Sequence, residues 1–261
     1  MTDPAFRVAI PARYASIRLP GKPLRLIAGR TLLEHVFLKA QASGASEVVI
    51  ATDDTRIRET AEGFGARVCM TAATHPSGTD RLAEVADILG WSDDAIVVNL
   101  QGDEPLMPPA LIRQVAAGLA KRPPAAIATL QVAITQAEDL LSPHVVKVVS
   151  DAQGYALYFS RAPIPFHRTA FGQTGTLGEL PPDTRYFRHI GLYAYRAATL
   201  RRYPRWPACT LETAESLEQL RALWHGLRIY VEEARELPPA GVDTEDDLAR
   251  VRAILEANGG T

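Results

Sequence analysis

The chain has 261 residues, 47% of them hydrophobic and 22% charged, with a formal net charge of -2. That is ample material for a packed core, and it excludes a general nucleic-acid binder, whose electrostatic footprint would be basic. Two cysteines far apart, Cys69 and Cys209, exclude a disulfide framework; with no signal-peptide pattern and no apolar run of transmembrane length, we expect a cytosolic protein without membrane insertion.

In chain order, Val8-Ala9-Ile10 is short, apolar and partly β-branched, the pattern of a buried strand. PARYASIRLPGKPL (11–24) follows. Its prolines Pro20 and Pro23 lack N–H donors and push the residues before them towards extended geometry, so this stretch is a loop. From Thr31, TLLEHVFLKAQASG has helical spacing, with Gly44 as its stop. EVVIAT (47–52) reads as a strand, TRIRETAEGFG as a helix ending at Gly65, and ARVCM (66–70) as a strand with Cys69 a small buried apolar residue. TDRLAEVADILG (79–90) is a helix, AIVVNLQ (95–101) a strand and PPALIRQVAAGLAKR (108–122) a helix. Such alternation implies βαβ units and a parallel sheet covered on both faces. Further on, VVKVVSD and YALYFSR suit a hairpin turning at Asp151, Gln153 and Gly154. A polar loop over about 166–183 leads to the strand FRHIGLYAY. LETAESLEQLRALWHG reads as one helix, with Leu217, Leu220, Leu223 and Trp224 in its apolar stripe, for packing or a dimer seam. RIYVEE is a strand, and a last helix starts near Thr244. We expect one α/β domain over 1–261, elaborated at about 155–227.

In an open α/β sheet, ligands sit beyond the carboxyl ends of the strands. That rule sends loops 11–24, 52–54, 75–80 and 101–105 to one crevice. Arg13, Arg18 and Lys22 in the first loop suit the phosphates of a nucleoside triphosphate. The order of a Walker A loop is absent, and a solvated cationic loop is the bland alternative. In NLQGDEP, Asp103 and Glu104 follow a strand end, and Gly102 permits close backbone approach. A carboxylate there can hold Mg²⁺, although Gly-Asp before a proline is also ordinary turn chemistry. In AGVDTEDDL, Thr244 serves as a helix cap and Glu245, Asp246 and Asp247 suit a first turn, which leaves Asp243 unexplained. Should Asp243 meet Asp103 in space, two carboxylates define a Mg²⁺ site. In THPSGTDR, Ser77 or Thr79 caps a helix, or the loop reads a pyrimidine edge; His75 is an exposed loop histidine.

Taken together, PARYASIRLPGKPL, ATDD, HPSGTDRLAEV, NLQGDEP, VVKVV with YALYFSRAPIP, RHIGLYAYR, LEQLR and GVDTEDDL resemble the 3-deoxy-manno-octulosonate (Kdo) cytidylyltransferase family, over about residues 7–252 and in order. QGDEP, SRAPIP, RHIGLYAY and LEQLR carry most of its specificity; Ile17 departs from it, standing where a threonine is common. The resemblance implies a nucleotide-diphospho-sugar transferase fold: a Rossmann-like, mixed but mainly parallel sheet with helices on both faces, usually in a homodimer. It implies that CTP and Kdo give CMP-Kdo and pyrophosphate, with Mg²⁺ as cofactor, for lipopolysaccharide synthesis. Arg13, Arg18 and Lys22 match its triphosphate side, and Ser77, Gly78 and Thr79 its cytosine loop. Gln101, Arg161, His189, Tyr193, Glu218 and Gln219 match its sugar-binding positions, and Asp103 and Asp243 its metal ligands. Catalytic work then falls to Lys22, Arg13 and Asp103. The rivals are a cytidylyltransferase for another keto-sugar acid, such as sialic acid, and a catalytically silent nucleotide-sugar sensor.

Overall fold

The structure is a computed structural model that describes residues 4–15, 19–172 and 178–258. Arg18 lies outside the described residues. The first half alternates strand and helix: β1 (Arg7–Ala12), a small ribbon of β2 (Leu26–Ile27) and β3 (Arg30–Thr31), α1 (Leu32–Ala42), β4 (Glu47–Thr52), α2 (Thr55–Gly63), β5 (Arg67–Met70), α3 (Gly78–Ile88), β6 (Ile96–Asn99) and α4 (Pro109–Ala120). The second half mixes shorter pieces. They are β7 (Ile127–Ala133), α5 (Ala137–Leu141), β8 (Lys147–Ser150), β9 (Ala156–Ser160), α6 (Arg168–Phe171), β10 (Phe187–Arg196), α7 (Ala197–Arg202), α8 (Thr210–Glu215), α9 (Gln219–Trp224), β11 (Ile229–Glu233) and α10 (Glu245–Asn258).

A nine-stranded sheet runs in the order β11-β7-β10-β6-β1-β4-β5, with the β8–β9 hairpin joined to β10. β1 is parallel to β4 and β6, β4 to β5, and β11 to β7, while β10 runs antiparallel between β6 and β7. Both faces are covered. Val8 and Ile10 of β1 pack in one cluster with Leu32, Leu33 and Val36 of α1 and Leu111 and Val115 of α4. Ala9, one residue out of phase, packs in the other cluster with Leu82 and Val85 of α3 and Leu200 of α7. A strand buried on both faces reads as a continuous apolar run, which is why RVAI carries no alternation.

Local chemistry sets the helix starts. Thr31 accepts from Glu34 N–H, Asp54 from Arg56 and Ile57 N–H, and Ser77 from Asp80 N–H. Thr244 and Asp247 cap α10 reciprocally, each side chain accepting from the other's backbone N–H. Several features differ from the sequence expectation, among them the short helix α6 inside the loop expected over about 166–183. The single helix over 211–226 is broken: Ser216 takes a left-handed conformation (φ 51°) between α8 and α9. The left-handed turn stops the helical hydrogen-bond run and redirects the chain towards the sheet, so Gln219 is buried rather than solvated. β7 is a central strand that the sequence patterns left unread. Among the described residues, no helix is long and apolar enough to cross a membrane.

Candidate active site

The carboxyl ends of β1 and β6 and the N-terminus of α3 open onto a cavity of about 540 Å³. β1 runs into Pro11, Ala12 and Arg13, β6 into Gln101, Gly102 and Asp103, and α3 begins at Ser77 and Gly78; all of these line it. Loop 52–54 does not line it, although the topology pointed there. Asp53 instead faces the fully buried Arg81 (3.0 Å), and Asp54 caps α2. Three of the four loops therefore converge, with the fourth as their backing.

Close approach makes this possible. A Cβ on Gly102 would lie 2.9 Å from the Pro11 carbonyl oxygen, and one on Gly241 would lie 3.0 Å from that of Asp103. A side chain at Gly102 would force the two segments apart, and one at Gly241 would crowd them. The second contact brings the strap before α10 onto the β6 loop, where Val242 N–H donates to the Asp103 carbonyl (2.9 Å). Asp243 thus meets Asp103 across Lys22, whose Nζ donates to Asp103 Oδ2 (2.7 Å), Asp243 Oδ1 (3.2 Å) and the Val242 carbonyl (2.8 Å). The Thr244 cap explains the acidic turn and leaves Asp243 to the cavity, which it lines. Behind the pair, burial and then the charges of Asp103 and Asp243 raise the Glu104 carboxyl to about 7.

Arg13 donates to the carbonyls of His75 and Ser77 (3.1 Å for the latter), tying the first loop to the loop before α3. His75 is half-buried rather than exposed: its ring meets Glu84, which also accepts from Ala72 N–H. That loop is consequently pinned from both sides.

A second cavity of about 240 Å³ shares Gly78, Gln101 and Glu218 with the first. Thr79, Tyr193 and Gln219 line it, with three residues the sequence reasoning did not single out: Asn99, Tyr195 and Tyr203. Tyr195 follows Tyr193 on the same face of β10, a signal the strand alternation already held. Thr79 Oγ1 donates to Glu218 Oε2 (3.2 Å), and Tyr203 donates to the Glu218 carbonyl (2.6 Å). Partial burial of the Glu218 carboxylate raises its pKa. The break at Ser216 is what turns Glu218 and Gln219 inward.

His189 lies beside Tyr193, ring centroids 5.3 Å apart, but lines a neighbouring cavity of about 200 Å³ with Glu104, Arg188 and the 238–241 strap. Burial depresses its pKa to about 3, so the ring is neutral. The Thr129 hydroxyl has one proton, for the carbonyl of Ile190 (3.0 Å) or Leu192 (2.9 Å), so it accepts from His189 Nε2–H (2.9 Å). Arg161 is not brought into either of the first two cavities. Its guanidinium donates to the carbonyls of Glu215 (2.7 Å) and Pro143 (2.9 Å), and its backbone N–H to the Glu215 carboxylate. Among the described residues no cluster of three or more His, Cys, Asp or Glu could hold a metal ion. The Asp103–Asp243 pair still offers hard oxygen donors facing the cavity, a set that suits Mg²⁺ shared with substrate phosphates.

A crevice at the carboxyl ends of such a sheet, with Arg13 and Lys22 beside Asp103 and Asp243, suits a nucleoside triphosphate and its counter-cation, and by class the protein is a nucleotidyltransferase. A family model described as cytidylyltransferase matches residues 8–229. The 3-deoxy-manno-octulosonate cytidylyltransferase of Pasteurella multocida is 56% identical, with 96% of this chain and 98% of that protein covered. Its namesake from Pseudomonas fluorescens is 58% identical over 97% and 99%. The chain belongs to the 3-deoxy-manno-octulosonate cytidylyltransferase family. A solved structure of CMP:2-keto-3-deoxy-manno-octonic acid synthetase complexed with CTP superposes with a TM-score of 0.88 at 41% identity, covering 98% of this chain and 100% of that one. A cytidylyltransferase from Leptospira borgpetersenii, 16% identical with a TM-score of 0.62, shares the fold, covering 97% of this chain and 87% of its own.

Proposed function

We propose that this chain transfers CMP from CTP to the anomeric hydroxyl of Kdo, releasing pyrophosphate. The observation that carries the reading is the pair of joined cavities. One is lined by cations and carboxylates, the other by tyrosines, amides and Glu218, and they meet at Gly78, Gln101 and Glu218. A triphosphate in the first places its α-phosphorus towards the hydroxyl of a sugar acid in the second. Transfer at phosphorus needs in-line positioning and charge neutralisation more than a covalent catalyst.

Lys22, Arg13 and Arg18 take the triphosphate, and the 77–79 loop meets the cytosine through Ser77 and Gly78, which line the first cavity, while Thr79 faces the second. Gln101, Tyr193, Glu218 and Gln219 hold the sugar, with His189 alongside as a neutral imidazole. Arg161 supports the sugar side through Glu215. Asp103 and Asp243 would hold Mg²⁺, which when bound offsets phosphate charge and lowers the pKa of a coordinated hydroxyl. We further propose a cytoplasmic homodimer serving lipopolysaccharide synthesis. Its seam would include β9 and α9, which pack together and expose Leu157 (64%) and Trp224 (58%). Light scattering of Leu157→Glu/Trp224→Glu should then report a monomer where the parent chain is a dimer; equal masses would reject that seam.

The deciding experiment is pyrophosphate release from CTP and Mg²⁺ with Kdo, 8-amino-Kdo, sialic acid or no sugar. Release with Kdo or its amino analogue alone supports the reading. Release with sialic acid alone moves the sugar assignment, and silence with every sugar despite CTP binding favours a sensor.

A further inference from the structure

Lys22 occupies a position that a cation would otherwise take. Its Nζ is the meeting point of three oxygens: Asp103 Oδ2 at 2.7 Å, the Val242 carbonyl at 2.8 Å and Asp243 Oδ1 at 3.2 Å. An ammonium has three N–H donors, and here each has an acceptor. The side chain is 13% exposed, and the oxygens come from two segments packed so closely that a Cβ on Gly241 would lie 3.0 Å from the Asp103 carbonyl oxygen. Such a cradle, with two carboxylates and a carbonyl, is a hard-oxygen cation site.

We propose that the Lys22 ammonium is the resident cation of this cradle in the nucleotide-free protein, and that it excludes a divalent metal until a triphosphate draws it away. The inference rests on the reading of Asp103 and Asp243 as the metal-holding pair. Two cations cannot share these oxygens at contact distance without strong repulsion in a partly desolvated site. A phosphate chain in the cavity that Lys22 lines offers the ammonium replacement anionic acceptors. The move is short. Lys22 sits on a flexible four-carbon stem, while its backbone is held in a 3-10 turn (Lys22–Leu24) between Gly21 and the buried Pro23. Metal and nucleotide therefore enter as a coupled pair, each raising the affinity for the other. The ammonium also keeps the two carboxylates together when neither ligand is present.

The test is Mn²⁺ binding to metal-stripped, nucleotide-free protein, read by the paramagnetic resonance signal of free Mn²⁺. Lys22→Met and Lys22→Gln should each bind Mn²⁺ at least ~10-fold more tightly than the parent chain, because a charge-assisted competitor is gone. Adding Asp103→Asn to Lys22→Met should remove that gain. In thermal unfolding, Lys22→Met should melt below the parent without metal and regain most of the difference with Mn²⁺. Equal Mn²⁺ affinity in the parent and both variants, or a gain that survives Asp103→Asn, overturns the proposal. If circular dichroism shows the variants unfolded, the parent chain decides: micromolar Mn²⁺ affinity without nucleotide overturns it, and millimolar or weaker affinity supports it. An enzyme that turns over CTP and Kdo while Lys22→Met gains nothing keeps the proposed function and loses this inference. A Mn²⁺ gain without turnover does the reverse.

Discussion

Asp103 sits just past β6 at the larger cavity, and its Oδ2 accepts from Lys22 Nζ (2.7 Å). A carboxylate just past an apolar strand, next to a glycine, is chemically exposed by its local pattern alone. It brings charge to the cavity it lines rather than packing to the core. Asp103→Asn should therefore cut kcat by at least ~10²-fold, the scale of losing one charge-stabilising group, while the unfolding midpoint stays near that of the parent chain. Normal turnover by that variant would reject the proposal that Asp103 holds a metal. Gly102 is the converse case. The sequence marks it only as permissive, yet a Cβ there meets the Pro11 carbonyl oxygen at 2.9 Å. Gly102→Ala should lower stability by about 1–3 kcal/mol through overpacking, measured by urea unfolding, and raise the KM for CTP as the two loops part. Arg161 was legible only by resemblance; its guanidinium turns out to grip main-chain carbonyls, a contact no local pattern encodes.

At the scale of elements, caps and stops are local and were readable. Ser77 and Thr244 start their helices through side-chain acceptors three residues from the N–H they satisfy. The split between α8 and α9 was not readable, because the apolar stripe runs on through it. What breaks the helix is Ser216 in a left-handed conformation, held by partners distant in sequence. The Glu215 carboxylate accepts from Ser160 Oγ (2.6 Å) and Arg161 N–H (2.9 Å), and its carbonyl accepts from Arg161 Nε (2.7 Å). The buried Lys147 ammonium in turn binds the Arg161 carbonyl (2.6 Å). Arg161→Ala should loosen this junction and with it Glu218 and Gln219. The KM for Kdo should then rise at least several-fold while that for CTP moves little. Equal rises in both would separate Arg161 from the sugar side.

Over the whole molecule, β10 is the decisive strand. It inserts antiparallel between β6 and β7 and shifts register between Ile190 and Tyr193. It thereby half-buries His189 in a place where it cannot easily charge. An ordinary histidine titrates near 6.5, and His189 is held to about 3. Between those values the unfolded chain binds the extra proton, so stability from this group is complete above about pH 6.5 and is lost progressively towards pH 3. Glu104 acts oppositely: raised from 4.5 to about 7, it loses stability for the folded state as pH rises across that window. The difference in unfolding free energy between the parent chain and His189→Gln isolates the first effect. It should grow by a few kcal/mol from pH 4 to pH 7; a difference flat with pH would mean His189 titrates normally.

Local pattern carries the strand–helix alternation of the first half, the helix caps and the chemistry of the loop residues, because these depend on neighbours a few positions away. Long-range packing alone makes Asp103 and Asp243 share Lys22, keeps loop 52–54 behind the crevice, and turns the Arg161 guanidinium onto the carbonyls of Glu215 and Pro143. Those outcomes follow from strand order and from glycine-sized contacts between distant segments, and no periodicity within one segment records which others will lie against it.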